Sequence, residues 1–121
     1  MEDRILVSTK KVLGIPEDYT AFDLDVMNHI NAAFSVLNQL GVGPSEGFMI
    51  ESSNDSWMDF TEDNVMLNMV KTYVYLKTKI LFDPPATSFL IEAMNEQLAE
   101  YEQRISYQRE GESWTTPTTT L

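Results

Sequence analysis

The chain has 121 residues, with 19 acidic against 8 basic side chains, a formal net charge of −11 and no cysteine. That length suits one domain with a real core that needs no disulfide, and the missing thiols exclude disulfides, thiolate nucleophiles and zinc–cysteine sites together. A surface this acidic does not coat nucleic acid, because phosphate binding needs cations, and no apolar run approaches the ~20 residues of a membrane span.

The opening MEDRILVSTKK has no continuous apolar stretch, so no signal peptide is expected. The absence of cysteine fits a reducing compartment. The charge itself has two readings: solubility, or a surface that nucleic acid slides past without sticking. Composition does not separate them.

In chain order, a first helix is expected over about 3–13, stopped by Leu13-Gly14-Ile15-Pro16. Glycine supplies a left-handed cap there and proline forbids continuation. A second helix is expected over about 21–40. Thr20 with Asp23 resembles a capping box, and Tyr19 with Leu24 a hydrophobic staple. Phe22, Val26, Ile30, Ala33, Leu37 and Leu40 make its apolar face, and Gly41-Val42 repeats the glycine stop.

Residues 41–60 are irregular, broken by Gly41, Gly43, Pro44 and Gly47. Phe48-Met49-Ile50 is a short strand candidate, and Ser56 with Asp59 can cap one helical turn carrying Trp57. Long irregular segments of this kind tend to be functional.

A third helix is expected over about 62–82, capped by Thr61, with Phe60 and Val65 as its staple. Its apolar arc spans about half the circumference, wider than a solvent-facing helix carries, so it is central or covered by a second subunit. Asp83-Pro84-Pro85 ends it. A fourth helix is expected over about 85–107, with Leu90, Ala93, Met94, Leu98, Tyr101 and Ile105 inward. The expected division is a helical domain over 1–107 and a flexible C-terminal tail over 108–121.

No catalytic, cofactor or metal site emerges. His29 is the only histidine, and one histidine without cysteine makes no structural zinc site. Asp23 with Asp25, and Asp59 with Glu62 and Asp63, lack the spacing of a calcium loop; acids in first turns follow from the helix dipole. Glu92, Glu96 and Glu100 stack four apart on one helix face, where like charges repel. They form either a solvated face or a stripe toward a basic neighbour or an aqueous channel. Lys77 falls inside an apolar arc, so it snorkels or pairs across an interface. Trp57 and Trp114 are large aromatics in segments with little core of their own, which suits anchoring on a partner. Phe48 joins these as a candidate interface residue.

Several segments carry a family resemblance: Thr9-Lys10-Lys11-Val12-Leu13-Gly14-Ile15, DVMNHINAAFSVLNQLGVG over 25–43, Trp57, VKTYVYL over 70–76, and LFDPP over 81–85. From Ile5 to about Tyr107 the chain resembles the small phage and prophage head–tail connectors, also called head-completion or DNA-packaging adaptor proteins. The resemblance implies an all-α fold, a small four-helix domain with an irregular loop or short β-hairpin between the second and third helices.

It further implies a non-enzymatic virion component without a cofactor, made in the bacterial host cytoplasm. As a ring homo-oligomer, dodecameric in the virion, such a protein docks beneath the portal protein and extends the DNA channel, through which DNA passes without specific binding. It then offers a platform for a stopper or tail-completion protein. Family C-terminal segments can dock on the portal, which would give 108–121 a role with Trp114 as anchor. A different class of function stays open on composition alone: an acidic helical module that masks a basic partner.

Overall fold

A computed structural model of the chain describes the backbone of residues 3–118 and the side chains of 3–110. The helices are α1 (Ile5–Leu13), α2 (Asp23–Gln39), α3 (Trp57–Phe60), α4 (Asn64–Phe82) and α5 (Ser88–Thr118). The architecture is all-α, with four long helices and the single turn α3 inside the irregular segment. Among the described residues there is no strand; one isolated antiparallel bridge joins Arg4 and Ser56.

Both glycine stops form as the sequence suggests. Gly14 and Gly41 take φ near +80° and +81°, and Ile15 and Val42 donate back to the Lys10 and Leu37 carbonyls at 2.8 and 3.0 Å. This 6→1 bond closes the last turn of α1 and of α2. The helix starts differ from expectation. Thr20 does not cap α2 with its side chain; its carbonyl takes the Asp23 N–H at 3.1 Å, and the Asp23 carboxylate turns instead to Lys10 at 2.7 Å. Thr61 does not cap α4. Asp63 does, accepting from the Val65 and Met66 amides, because a carboxylate also complements the positive end of the helix. Neither staple forms as expected, since Tyr19, Leu24 and Val65 are all exposed.

The strand expected at Phe48–Ile50 is replaced by a side-chain substitute for a strand partner. Asn31 on α2 donates to the Ile50 carbonyl at 3.0 Å and accepts its N–H at 2.7 Å. One asparagine amide thereby satisfies both backbone groups that a ladder would have paired. The turn α3 forms as the sequence suggests, with a reciprocal capping box between Ser56 and Asp59.

Helix α4 is central: it packs on α2 and α5, and α1 rests on both α2 and α4. Its Val70, Tyr73 and Val74 are fully buried. Lys77 lies on the same arc one turn further on and is half-buried. Helix α5 begins at Ser88 rather than 85. Thr87 starts it, its hydroxyl accepting the Leu90 N–H at 3.3 Å. Its backbone continues past 107 to Thr118. Leu98 and Ile105 are buried, Met94 and Tyr101 half-buried, but Leu90 and Ala93 point outward.

Two glycines separate backbone strain from steric clash. A Cβ at Gly43 (φ +91°) would meet the Phe60 ring at 2.4 Å, whereas one at Gly14 would meet nothing within 4 Å. Gly14→Ala should therefore lose only the left-handed penalty of about 1–2 kcal/mol. Gly43→Ala should lose distinctly more in urea denaturation, because the buried Phe60 ring must also move.

Candidate assembly surface

The structure sorts the carboxylates of this acidic chain by what holds them. Asp55 accepts from the Glu51 and Ser52 amides at 2.7 and 3.0 Å, Asp59 from Ser56, and Asp63 from the start of α4. These acids close turns and cap helices. Asp23 meets the ammonium of Lys10, which is 2 % exposed, at a distance that makes an ion pair but an angle too poor for a hydrogen bond. Lys10 also donates to the Glu17 and Tyr19 carbonyls at 3.1 and 2.7 Å. A buried ammonium is tolerable only when paired and hydrogen-bonded in this way, and here it fastens the 14–22 loop between α1 and α2.

Glu92, Glu96 and Glu100 have no such task. All are exposed on α5, and only Glu100 has a cation near it, Arg104 at 3.8 Å. An exposed pair that long contributes little. Of the other predicted interface residues, Phe48 is half-buried, with its ring 4.9 Å from Phe34 and 5.3 Å from Phe60. Trp57 is fully buried, its indole N–H donating to the Ser8 hydroxyl at 3.0 Å. The expectation that Trp57 anchors on a partner therefore gives way to an internal role, because the side chain is fully buried and its indole N–H is bonded within the protomer. Lys77 has no hydrogen bond or ion pair to any described residue. The Trp114 side chain lies outside the described residues.

His29 packs edge-on near Phe82, with ring centroids 6.3 Å apart, and no group of His, Asp or Glu among the described residues is arranged to hold a metal. No described helix is long and apolar enough to cross a membrane.

Two features escaped the periodicity. The first is a furrow along α4 and α5, closed at one end by Val12 of α1. Val12, Thr72, Leu76, Lys79 and Tyr101 line one stretch; Val65, Met69, Arg104 and Tyr107 line the next. The second is a pair of large exposed aromatics on α5, Phe89 at 76 % and Tyr107 at 77 %. Their signal was present: both fall outside the inward spacing of Leu98 and Ile105.

Helix α5 is held in rotation by two polar contacts. The buried Tyr73 hydroxyl of α4 donates to Glu102 at 2.8 Å, and Arg109 Nε donates to the Gly41 carbonyl at 3.2 Å, at the negative end of the α2 dipole. Burial, and secondarily the hydrogen bond to Glu102 and its negative charge, push the Tyr73 hydroxyl well above the usual tyrosine range.

These features define a small all-α protein whose described polar side chains mainly hold its turns and helix ends, and whose last helix carries exposed aromatics and carboxylates. A family model described as phage connector protein matches residues 5–112, and the chain belongs to that family. No curated protein and no solved structure matches it. Family membership makes the chain a non-enzymatic structural protein of the virion with a head–tail connector role, binding other virion proteins.

The Tyr73 contact has a pH signature. An unfolded tyrosine loses its proton near about pH 10, while folded Tyr73 keeps it to higher pH. Above about pH 10 the folded state binds more protons than the unfolded one, so stability falls as pH rises; at lower pH the contribution is constant. Tyr73→Phe should cost about 1.5–3 kcal/mol at neutral pH, the value of a hydrogen bond to a charged acceptor. It should also flatten the alkaline fall, measured by urea unfolding at several pH values.

Proposed function

We propose that the chain works as a ring of identical copies beneath the portal protein, prolonging the DNA channel and presenting a platform to a stopper or tail-completion protein. The observation that carries this reading is the outward face of α5, where Glu96 and Glu100 sit exposed between Phe89 and Tyr107. Exposed aromatics of this size favour protein contact. An excess of carboxylates with no folding task suits a wall past which a polyanion must slide.

The other described acids support the same division. Asp55, Asp59 and Asp63 are tied down by backbone amides, whereas Glu92, Glu96 and Glu100 of α5 stay exposed without such contacts. The half-buried Lys77 and the C-terminal segment with Trp114 are the next places to look for the portal.

The test combines the purified chain with its cognate portal. Native mass spectrometry should find association that grows with concentration and a stable complex with the portal. A strict monomer that ignores the portal would overturn the reading, and recovery of a basic non-virion protein instead would point to an acidic masking module. The chain alone should leave duplex DNA unshifted in an electrophoretic assay at physiological salt, because a net charge of −11 gives phosphate no cationic surface to bind.

A further inference from the structure

The start of α2 is occupied by a residue that does not suit it. Phe22 is the N-cap and makes no side-chain cap bond, at a position that favours Asn, Asp, Ser or Thr. Its ring is 42 % exposed, so burial only partly offsets the missing cap. Phe22 is also the middle of an aromatic strip where the end of α4 meets the start of α2. Its ring centroid lies 5.6 Å from that of Tyr19 and 5.4 Å from that of Phe82, and His29 adjoins Phe82 at 6.3 Å. Tyr19 is 48 % exposed.

The strip is held in place from beneath. The buried Lys10 ammonium donates to the Tyr19 carbonyl at 2.7 Å and pairs with Asp23, the residue after Phe22, at 2.7 Å. A buried charge thereby orders the backbone around aromatics that the core leaves at the surface. Such ordering in advance lowers the cost of binding a partner.

The rim of the strip is negative. Residues 16–25 carry four acids and no base. Asp18 precedes Tyr19, and Asp25 shares one line of α2 with Phe22 and His29, at spacings of three and four. Both aspartates are exposed, and neither holds a hydrogen bond or ion pair to a described residue. Asp83 follows Phe82, with its carboxylate on Lys79 in an exposed pair at 2.7 Å.

We propose that this strip docks a cationic, apolar segment of a different protein chain, one that presents arginine beside leucine-like side chains. A guanidinium stacks on exposed rings and grips a carboxylate such as Asp18 or Asp25 with two donors. The apolar neighbours cover Phe22 and Phe82. A second copy of this chain fits badly. It brings a net charge of −11 to an acidic rim, and its arginines are already engaged: Arg4 with Glu17, Arg104 with Glu100, and Arg109 with the Gly41 carbonyl. The inference uses no residue of α5 and does not depend on the ring reading.

The test uses the full chain and a defined probe, an amphipathic peptide of arginine and leucine about four helical turns long, read by surface plasmon resonance. The wild-type chain should bind it, and should ignore the same peptide with glutamate in place of arginine. Phe22→Ser should weaken binding about tenfold, as loss of a central aromatic anchor does. The fold should hold by circular dichroism, because serine is a good N-cap. Asp18→Lys should slow association about threefold and flatten its dependence on salt. Glu51→Lys, the same charge change on another exposed loop residue, and Met49→Ser, an exposed apolar side chain elsewhere, should both bind as wild type does. A peptide that does not bind the wild-type chain overturns the proposal. So does equal weakening by Glu51→Lys, which would trace the binding to net charge alone, or unaltered binding in Phe22→Ser. Self-association lost in Phe22→Ser with peptide binding kept would give the strip to a second copy instead.

Discussion

The fold depends on Trp57 more than on any other side chain. The segment that carries it has almost no regular structure, and α1 is only nine residues long, too short to persist alone in water. Trp57 joins the two. Its amide donates to the Asp3 carbonyl at 2.9 Å, the Ile5 amide donates to Asp55 at 2.9 Å, and the indole N–H reaches Ser8 on α1. The ring then packs near Phe34 of α2 and edge-on against Tyr75 of α4, with centroids 6.1 and 5.8 Å away. One aromatic therefore brings α1, α2, α4 and the irregular segment to a common centre. Because α1 is held there, its C-terminal Val12 closes one end of the furrow along α4 and α5.

Polar groups divide into those that fold the chain and those left over. Lys10 spends its ammonium on hydrogen bonds to two carbonyls and an ion pair with Asp23, which orders a loop that has no core of its own. Asn31 replaces a β-partner for Ile50. Asp55, Asp59 and Asp63 quench backbone donors that would otherwise be orphaned at turns and helix starts. After these assignments the Glu92–Glu96–Glu100 stripe is negative charge without a folding purpose, and it costs the helix a little through repulsion. That cost makes the stripe informative, since a helix selected only for stability would interleave lysines there.

Sequence reading reaches the parts of this architecture that are local. The glycine stops, the number of long helices, the Ser56–Asp59 turn and the inward line through Leu98 and Ile105 all depend on neighbours within about two helical turns. It fails where the partner is distant. Thr20 and Thr61 look like caps until Lys10 claims Asp23 and Asp63 takes the α4 start. Phe48–Ile50 looks like a strand because nothing near it reveals Asn31. Trp57 looks like an exposed anchor because its hydrogen-bond acceptor is on α1. The furrow is the extreme case: it exists through the placement of α5 on α4, with α1 closing one end, and no periodicity within one helix encodes it. The glutamate stripe, by contrast, was legible because its residues lie four apart on one helix.

The same contacts that stabilise α5 also choose which face it shows. Successive residues of a helix are rotated by about 100°, so a shift of one residue in how α5 seats on α4 would turn Glu96 and Glu100 toward the core or the flank. Leu98 and Ile105 set the seating through burial, but an apolar line tolerates small rotations because hydrophobic contact is non-directional. Tyr73 to Glu102 and Arg109 to Gly41 are directional, and they act at separate points along the helix. Two such points fix the rotation, not merely the contact. In a protein whose role is to present a defined surface to other virion proteins, that is the physical reason to keep a buried tyrosine on a carboxylate and an arginine on a helix end, where leucines would serve stability alone.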